Sequence, residues 1–170
     1  MDLYSLAQSV GRLLKAQHLT LGLAESCTGG MIASCITDIP GSSEYFEGGV
    51  VSYSNALKTR LLGVPAGTLE SFGAVSVETV MAMARGVRKR LNVGVALAIT
   101  GIAGPSGGTA DKPVGLTYIG LVSPRGELWR KYIWKGNRRE NREQSTRAAL
   151  ELLVEQLTAF EERVGVTDSP

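Results

Sequence analysis

Apolar residues recur three and four positions apart at Leu3, Leu6, Val10, Leu13 and Leu14, a spacing that predicts an amphipathic helix over 3–16. The pattern then changes. Residues 20–25 (TLGLAE) predict a short strand, and helical spacing returns over 28–36 behind Gly29-Gly30. Pro40-Gly41-Ser42-Ser43 predicts a turn. A strand is expected over 49–53 (GVVSY), a short helix over 55–62 that stops at Gly63, and further helical turns over 68–72 before Gly73. Ser76 stands as an N-cap before a long helix to about Leu91, with Thr79 where a capping box would place Glu. Residues 93–100 (VGVALAIT) are almost wholly apolar, as in a strand covered on both faces, and run into a Gly-rich loop over 101–108. Residues 115–122 and 127–134 flank Ser123-Pro124-Arg125-Gly126 and predict a β-hairpin. An amphipathic helix over 138–163 follows. Helices alternating with strands, with one hairpin near the C-terminus, imply a three-layer α/β/α domain around a mixed sheet.

Composition narrows this picture. A length of 170 residues suits one domain, expected over 1–165 with a polar tail at 166–170. Aromatic residues are only 6% of the chain, so the core must be aliphatic and packed around Ala and Gly. Lys and Arg number 18 against 16 Asp and Glu, a balance that does not suggest direct nucleic-acid binding. No apolar run is long enough to cross a membrane, and the N-terminus lacks a signal-like segment, so a cytoplasmic protein is expected. Two cysteines, Cys27 and Cys35, are too few for a disulfide framework and, with one histidine, for an ordinary structural zinc site.

Ligands in such sheets bind at the carboxyl ends of strands, beside helix N-termini. Two loops qualify. The first holds Ser26 with Thr28-Gly29-Gly30. Ser26 stands at a helix start, either as a plain cap or as a nucleophile whose oxyanion would meet the N–H groups that follow. The second loop runs from Thr100 and Gly101 through Gly104, Gly107 and Gly108 to Thr109. Its backbone can cradle a phosphate or ribose, or can be a surface loop; it has neither a Walker nor a dinucleotide fingerprint. A serine nucleophile needs a base. The one histidine, His18, lies in a polar stretch and reads as a surface residue, so the base must be Lys or Tyr. Lys58, through Tyr53, is the candidate; the alternatives are a solvated helix lysine and a core tyrosine. Cys27 is a rival nucleophile, better suited to a small buried role. Glu25 should point away from Ser26, because strand neighbours face opposite sides. Arg138 and Arg142 share a helix face and can hold a phosphate or form a solvated basic surface.

Taken together, the motifs AESCTGG at 24–30, PGSSEYFEGGVVSYSNALK at 40–58, LLGV at 61–64, GAVS at 73–76, TGIAGPSGGT at 100–109 and KPVG at 112–115 resemble the CinA C-terminal domain family from about Leu3 to Leu157. The resemblance implies a three-layer α/β/α sandwich with a mixed, mostly parallel five-stranded sheet, and a homodimer. Stand-alone members of that family are nicotinamide-nucleotide amidohydrolases. The implied reaction is metal-free and needs no cofactor: nicotinamide mononucleotide and water give nicotinic acid mononucleotide and ammonia. By position, Ser26 matches the family's nucleophile, Tyr53 its catalytic tyrosine and Lys58 its catalytic lysine. Two other functions compete. One is a non-catalytic pyridine-nucleotide-binding module linked to competence or the DNA-damage response. The other is a Ser-Lys hydrolase of a different small amide. The loop 101–109, with Arg138 or Arg142, is the expected seat of the substrate phosphate.

Overall fold

The computed structural model describes residues 1–164, with side chains to Ala159; the expected polar tail at 166–170 lies outside the described residues. The elements are α1 (Leu3–Ala16), β1 (Leu21–Glu25), α2 (Met31–Thr37), β2 (Phe46–Val51), α3 (Asn55–Leu62), α4 (Ala66–Phe72), α5 (Val77–Leu91), β3 (Val95–Gly101), β4 (Leu116–Ser123), β5 (Gly126–Ile133) and α6 (Arg138–Val164). The sheet order is β2-β1-β3-β4-β5. The first three strands are parallel, β4 is antiparallel to β3, and β5 is antiparallel to β4, so four of the five strands share one direction. The architecture is the expected three-layer sandwich with a mixed, mostly parallel sheet.

Strand alternation gives this sheet one large-residue face and one small-residue face. Leu21, Leu23, Val95, Leu97, Ile99, Ile119 and Leu121 pack under α1, α2 and α6. Ala24, Ala96 and Ala98 face α5 together with Leu62 and Val64. Small residues let α5 lie close on the sheet, which accounts for an aliphatic core built with few aromatics.

One strand is displaced from its expected place. β2 spans Phe46–Val51 rather than 49–53. The partner of Leu21 is Phe46 and that of Gly22 is Gly48, so Glu47 is an extra residue in a bulge. The Gly48-Gly49 pair accommodates this irregularity on an edge strand. As a result, Ser52 and Tyr53 lie just beyond β2.

Gly86 shows how tightly the α3–α5 contact is drawn. A Cβ there would stand 1.9 Å from the Leu62 carbonyl oxygen. Intrinsic helix propensity favours Ala over Gly by about 1 kcal/mol, but the collision outweighs it. Gly86→Ala is expected to cost about 1–3 kcal/mol. Thermal unfolding should then begin roughly 3–10 °C lower.

Candidate active site

The end of β1 divides two adjacent polar side chains between opposite faces. Glu25 continues the Leu21–Leu23 side and meets the start of α2. It is buried, and its Oε2 accepts from Thr28 Oγ1 at 2.6 Å, Gly30 N–H at 3.0 Å and Ile32 N–H at 3.2 Å. Its Oε1 accepts from Ala33 N–H at 2.8 Å. A carboxylate thus caps a helix whose own N-cap, Gly30, has no side chain to do so. Sequence reading anticipated the direction of Glu25 but not this role. The signal that could have revealed it is an acidic residue preceding a Gly-Gly helix start that lacks a capping side chain. Glu25→Gln would turn an amide NH2 toward backbone donors. It should destabilise the fold by about 2–4 kcal/mol, and chemical denaturation would show it as a lower midpoint with an unchanged slope.

Ser26 takes the other face, where α3 supplies Lys58. Ser54 caps α3 by accepting from Leu57 N–H at 3.2 Å, which sets Lys58 on the turn that enters the core. Lys58 is 1% exposed. Its Nζ lies 2.9 Å from Ser26 Oγ and donates to the Ser52 carbonyl at 2.7 Å. Burial holds the Lys58 ammonium below the ordinary lysine pKa, so the amine more readily becomes a neutral base. Burial pushes the neighbouring Cys27 thiol up to about 12, which leaves it protonated and unsuited to attack. His18 has no place in this arrangement, and among the described residues no cluster of three or more His, Cys, Asp or Glu side chains could hold a metal ion.

A cavity of about 260 Å³ opens over this pair. Ser26, Cys27, Tyr53, Lys58, Thr100, Gly101, Gly104, Gly107 and Arg138 line it, together with Ala74 and Val75. Thr100 Oγ1 donates to the Ala74 carbonyl at 2.8 Å and ties the two walls together. At the rim, Arg138 Nη1 donates to the Gly104 carbonyl and its Nη2 to Tyr53 Oη, both at 2.8 Å. Tyr53 is 58% exposed and touches Arg138 rather than the Ser26–Lys58 pair, so no direct relay through it is formed here. Gly101 must remain a glycine. A Cβ would stand 2.8 Å from Leu116 O and 3.1 Å from Cys27 Sγ.

Other residues singled out in the sequence stand outside this cavity. Arg142 Nη2 donates to the Thr28 carbonyl at 2.7 Å and props the turn after β1 from behind. Thr109 accepts from Lys112 N–H and donates its own N–H to Lys112 O, closing the far end of the Gly-rich loop. Gly108 packs on Val114, where a Cβ would stand 2.6 Å from the backbone nitrogen. Gly29 N–H donates to Ser26 O, and Gly30 N–H is taken by Glu25. The turn's remaining donors are the N–H groups of Cys27 and Thr28, neither of which donates to a backbone carbonyl.

The CinA C-terminal domain model matches residues 3–157. A putative competence-damage inducible protein of Halothermothrix orenii is 51% identical over 157 residues, which are 92% of this chain and 38% of that protein. A CinA-like protein of Desulfotalea psychrophila is 47% identical over 152 residues, 89% of this chain and 37% of that protein. The chain therefore spans a little over a third of the length of these curated relatives. Among solved structures, the competence/damage inducible protein CihA from Agrobacterium tumefaciens is 41% identical with a TM-score of 0.89, covering 93% of this chain and 96% of that one. The competence damage-inducible protein A (ComA) from Klebsiella pneumoniae is 30% identical with a TM-score of 0.90, covering 93% and 98%. The chain belongs to the CinA C-terminal domain family.

Proposed function

We propose that this chain is an amidohydrolase that converts nicotinamide mononucleotide and water to nicotinic acid mononucleotide and ammonia. The observation that carries the chemistry is the buried contact of 2.9 Å between Lys58 Nζ and Ser26 Oγ. Neutral Lys58 takes the Ser26 proton as Oγ attacks the carboxamide carbon. The N–H groups of Cys27 and Thr28 then face the oxyanion. The lysine returns the proton to the leaving nitrogen, and ammonia departs. Water, deprotonated by the same lysine, releases the carboxylate from Ser26. The substrate class comes from the family resemblance.

At the cavity mouth, Arg138 and the backbone of Gly104–Gly107 are the groups suited to the phosphate. Arg142 is already engaged with the nucleophile turn. Tyr53 sits where it can contact the pyridine or ribose beside Arg138. A homodimer belongs to the same proposal. A binding module without catalysis would have no use for a lysine held dry against a serine. Among the described residues, no helix is long and apolar enough to cross a membrane. The test is to incubate purified protein with nicotinamide mononucleotide and quantify ammonia and nicotinic acid mononucleotide, expected in equal amounts. Binding without release of either would favour the module and sink the enzyme.

A further inference from the structure

Residues 52–54 read Ser-Tyr-Ser, and the two serines are used differently. Ser54 caps α3. Ser52 is fully buried, and its hydroxyl has no hydrogen-bond partner. A buried hydroxyl without a partner is costly, and an apolar side chain would fit the same place better.

Two contacts put this residue beneath the Ser26–Lys58 pair. The Ser52 carbonyl accepts from Lys58 Nζ at 2.7 Å. The Ser52 N–H donates to the Glu25 carbonyl at 2.9 Å, which extends the β1–β2 ladder past the end of β2. In that extended run Ser52 shares the face of Val50, which packs with Ala24 against α5. Lys58 is buried on this same side of the sheet.

We propose that Ser52 is a positioning residue for Lys58, its hydroxyl oxygen accepting an N–H of the lysine once the amine has taken the Ser26 proton. The inference rests on the Ser26–Lys58 pair acting as nucleophile and base. The neutral amine offers its lone pair to Ser26 Oγ–H and one N–H to the Ser52 carbonyl. Its second N–H carries little charge and tolerates a poor partner. On attack, the Oγ–H bond breaks, the Oγ electron pair forms the bond to carbon, and the proton becomes a third N–H. That ammonium is shut off from water, and each of its N–H groups needs an acceptor. The hydroxyl that is unpaired at rest belongs to the residue whose carbonyl already holds Lys58 Nζ.

Other groups near Lys58 do not supply that acceptor. Cys27 faces it with a protonated thiol. Tyr53 and Arg138 lie across the cavity, paired with one another. Glu25 acts from beyond the turn and is engaged with α2. The buried residues of α5 are Thr79, Val80, Met81, Met83, Ala84 and Val87, and the remaining walls bring Ala74, Val75 and Thr100; none of these titrates, and the Thr79 and Thr100 hydroxyls are engaged with the Gly73 and Ala74 carbonyls.

The test labels the whole chain with a fluorophosphonate, which reports Ser26 activation without nicotinamide mononucleotide. An Oγ–phosphorus bond forms, fluoride leaves, and the proton passes to Lys58. Labelling rates are measured against pH for wild type, Ser52→Ala and Ser52→Thr, alongside thermal midpoints. In Ser52→Ala the alkaline plateau should fall about tenfold, and its midpoint should move to lower pH because the ammonium has lost an acceptor. Ser52→Thr should restore both. On the alkaline plateau, where Lys58 is neutral, Ser52→Ala should melt no lower than wild type, since it loses only an unpaired hydroxyl. A wild-type rate in Ser52→Ala, a slower rate with an unmoved midpoint, or a lower melting temperature on that plateau would each overturn the proposal. Failure of wild type to label at Ser26 would overturn the pair beneath it, and Ser52 with it. The expected Ser52 response without ammonia release from nicotinamide mononucleotide would support Ser52 and sink only the substrate.

Discussion

Ser26→Ala is expected to lower ammonia release from nicotinamide mononucleotide by about ten-thousandfold or more. The reason is chemical and local. Ser26 Oγ is the hydroxyl that lies against Lys58, and the neighbouring Cys27 is kept protonated by burial. Water held in the same place would lack the orientation of a tethered hydroxyl. The variant should still fold, because the contact that anchors the turn is the Ser26 N–H donating to Ile99 O at 3.1 Å, and Ala keeps it. The apparent KM should change little, since the groups suited to the phosphate end stand across the cavity at Arg138 and Gly104–Gly107. Single-turnover kinetics with mass measurement of the protein give the decisive reading. Wild type should pass through an acylated species at Ser26, and the variant should show none. Persistent turnover in Ser26→Ala would sink this nucleophile.

Lys58→Met is expected to lower turnover by about a hundred- to ten-thousandfold. Methionine keeps the length and volume of the side chain but cannot accept a proton. Combined with Ser26→Ala, the loss should be no larger than that of Ser26→Ala alone, because the two groups act in one step. The pH profile adds a signed expectation. Activity needs the neutral amine, so kcat/KM in wild type should rise with pH through the Lys58 pKa, at a value below that of an ordinary lysine. Lys58→Met should lose this limb. Stability carries the same sign. The folded state disfavours the Lys58 proton, so between its depressed folded pKa and its ordinary unfolded one, the unfolded chain binds more protons and stability rises with pH. Below the folded pKa, the full cost of burying the charge is present. Lys58→Met removes that cost and should melt higher than wild type at neutral pH. Calorimetry on the two proteins at neutral and alkaline pH checks this, and the difference should narrow as pH rises.

These expectations draw on the sequence and the structure in different measure. Periodicity was sufficient for α1, α3, α5 and the β4–β5 hairpin, and the last three also carry their own punctuation: Ser54 and Gly63 around α3, Ser76 before α5, Pro124-Arg125-Gly126 in the hairpin. It was insufficient for β2, where the apolar run at 49–53 suggested a later start and only pairing with β1 reveals a strand over Phe46–Val51 with a bulge. In the site, the scarcity of histidine left lysine or tyrosine as the base. Nothing in the spacing of Ser26 and Lys58, 32 residues apart, requires that they meet at 2.9 Å.

The sequence by itself determined the alternation of helices and strands, the two Gly-rich turns and the residue types available for chemistry, because these depend on local periodicity and backbone conformation. Tertiary structure alone decided how those residues are used. The β1–β2 ladder turned Glu25 toward α2 and Ser26 toward α3, on opposite faces of one strand. Gly86 allowed α3 close enough to α5 to sink Lys58 beneath the surface. Packing of α6 separated two arginines one helical turn apart, sending Arg138 to the cavity rim and Arg142 to the Thr28 carbonyl. Burial and long-range contact set the protonation state and the partner of each group, and both depend on neighbours distant in the chain.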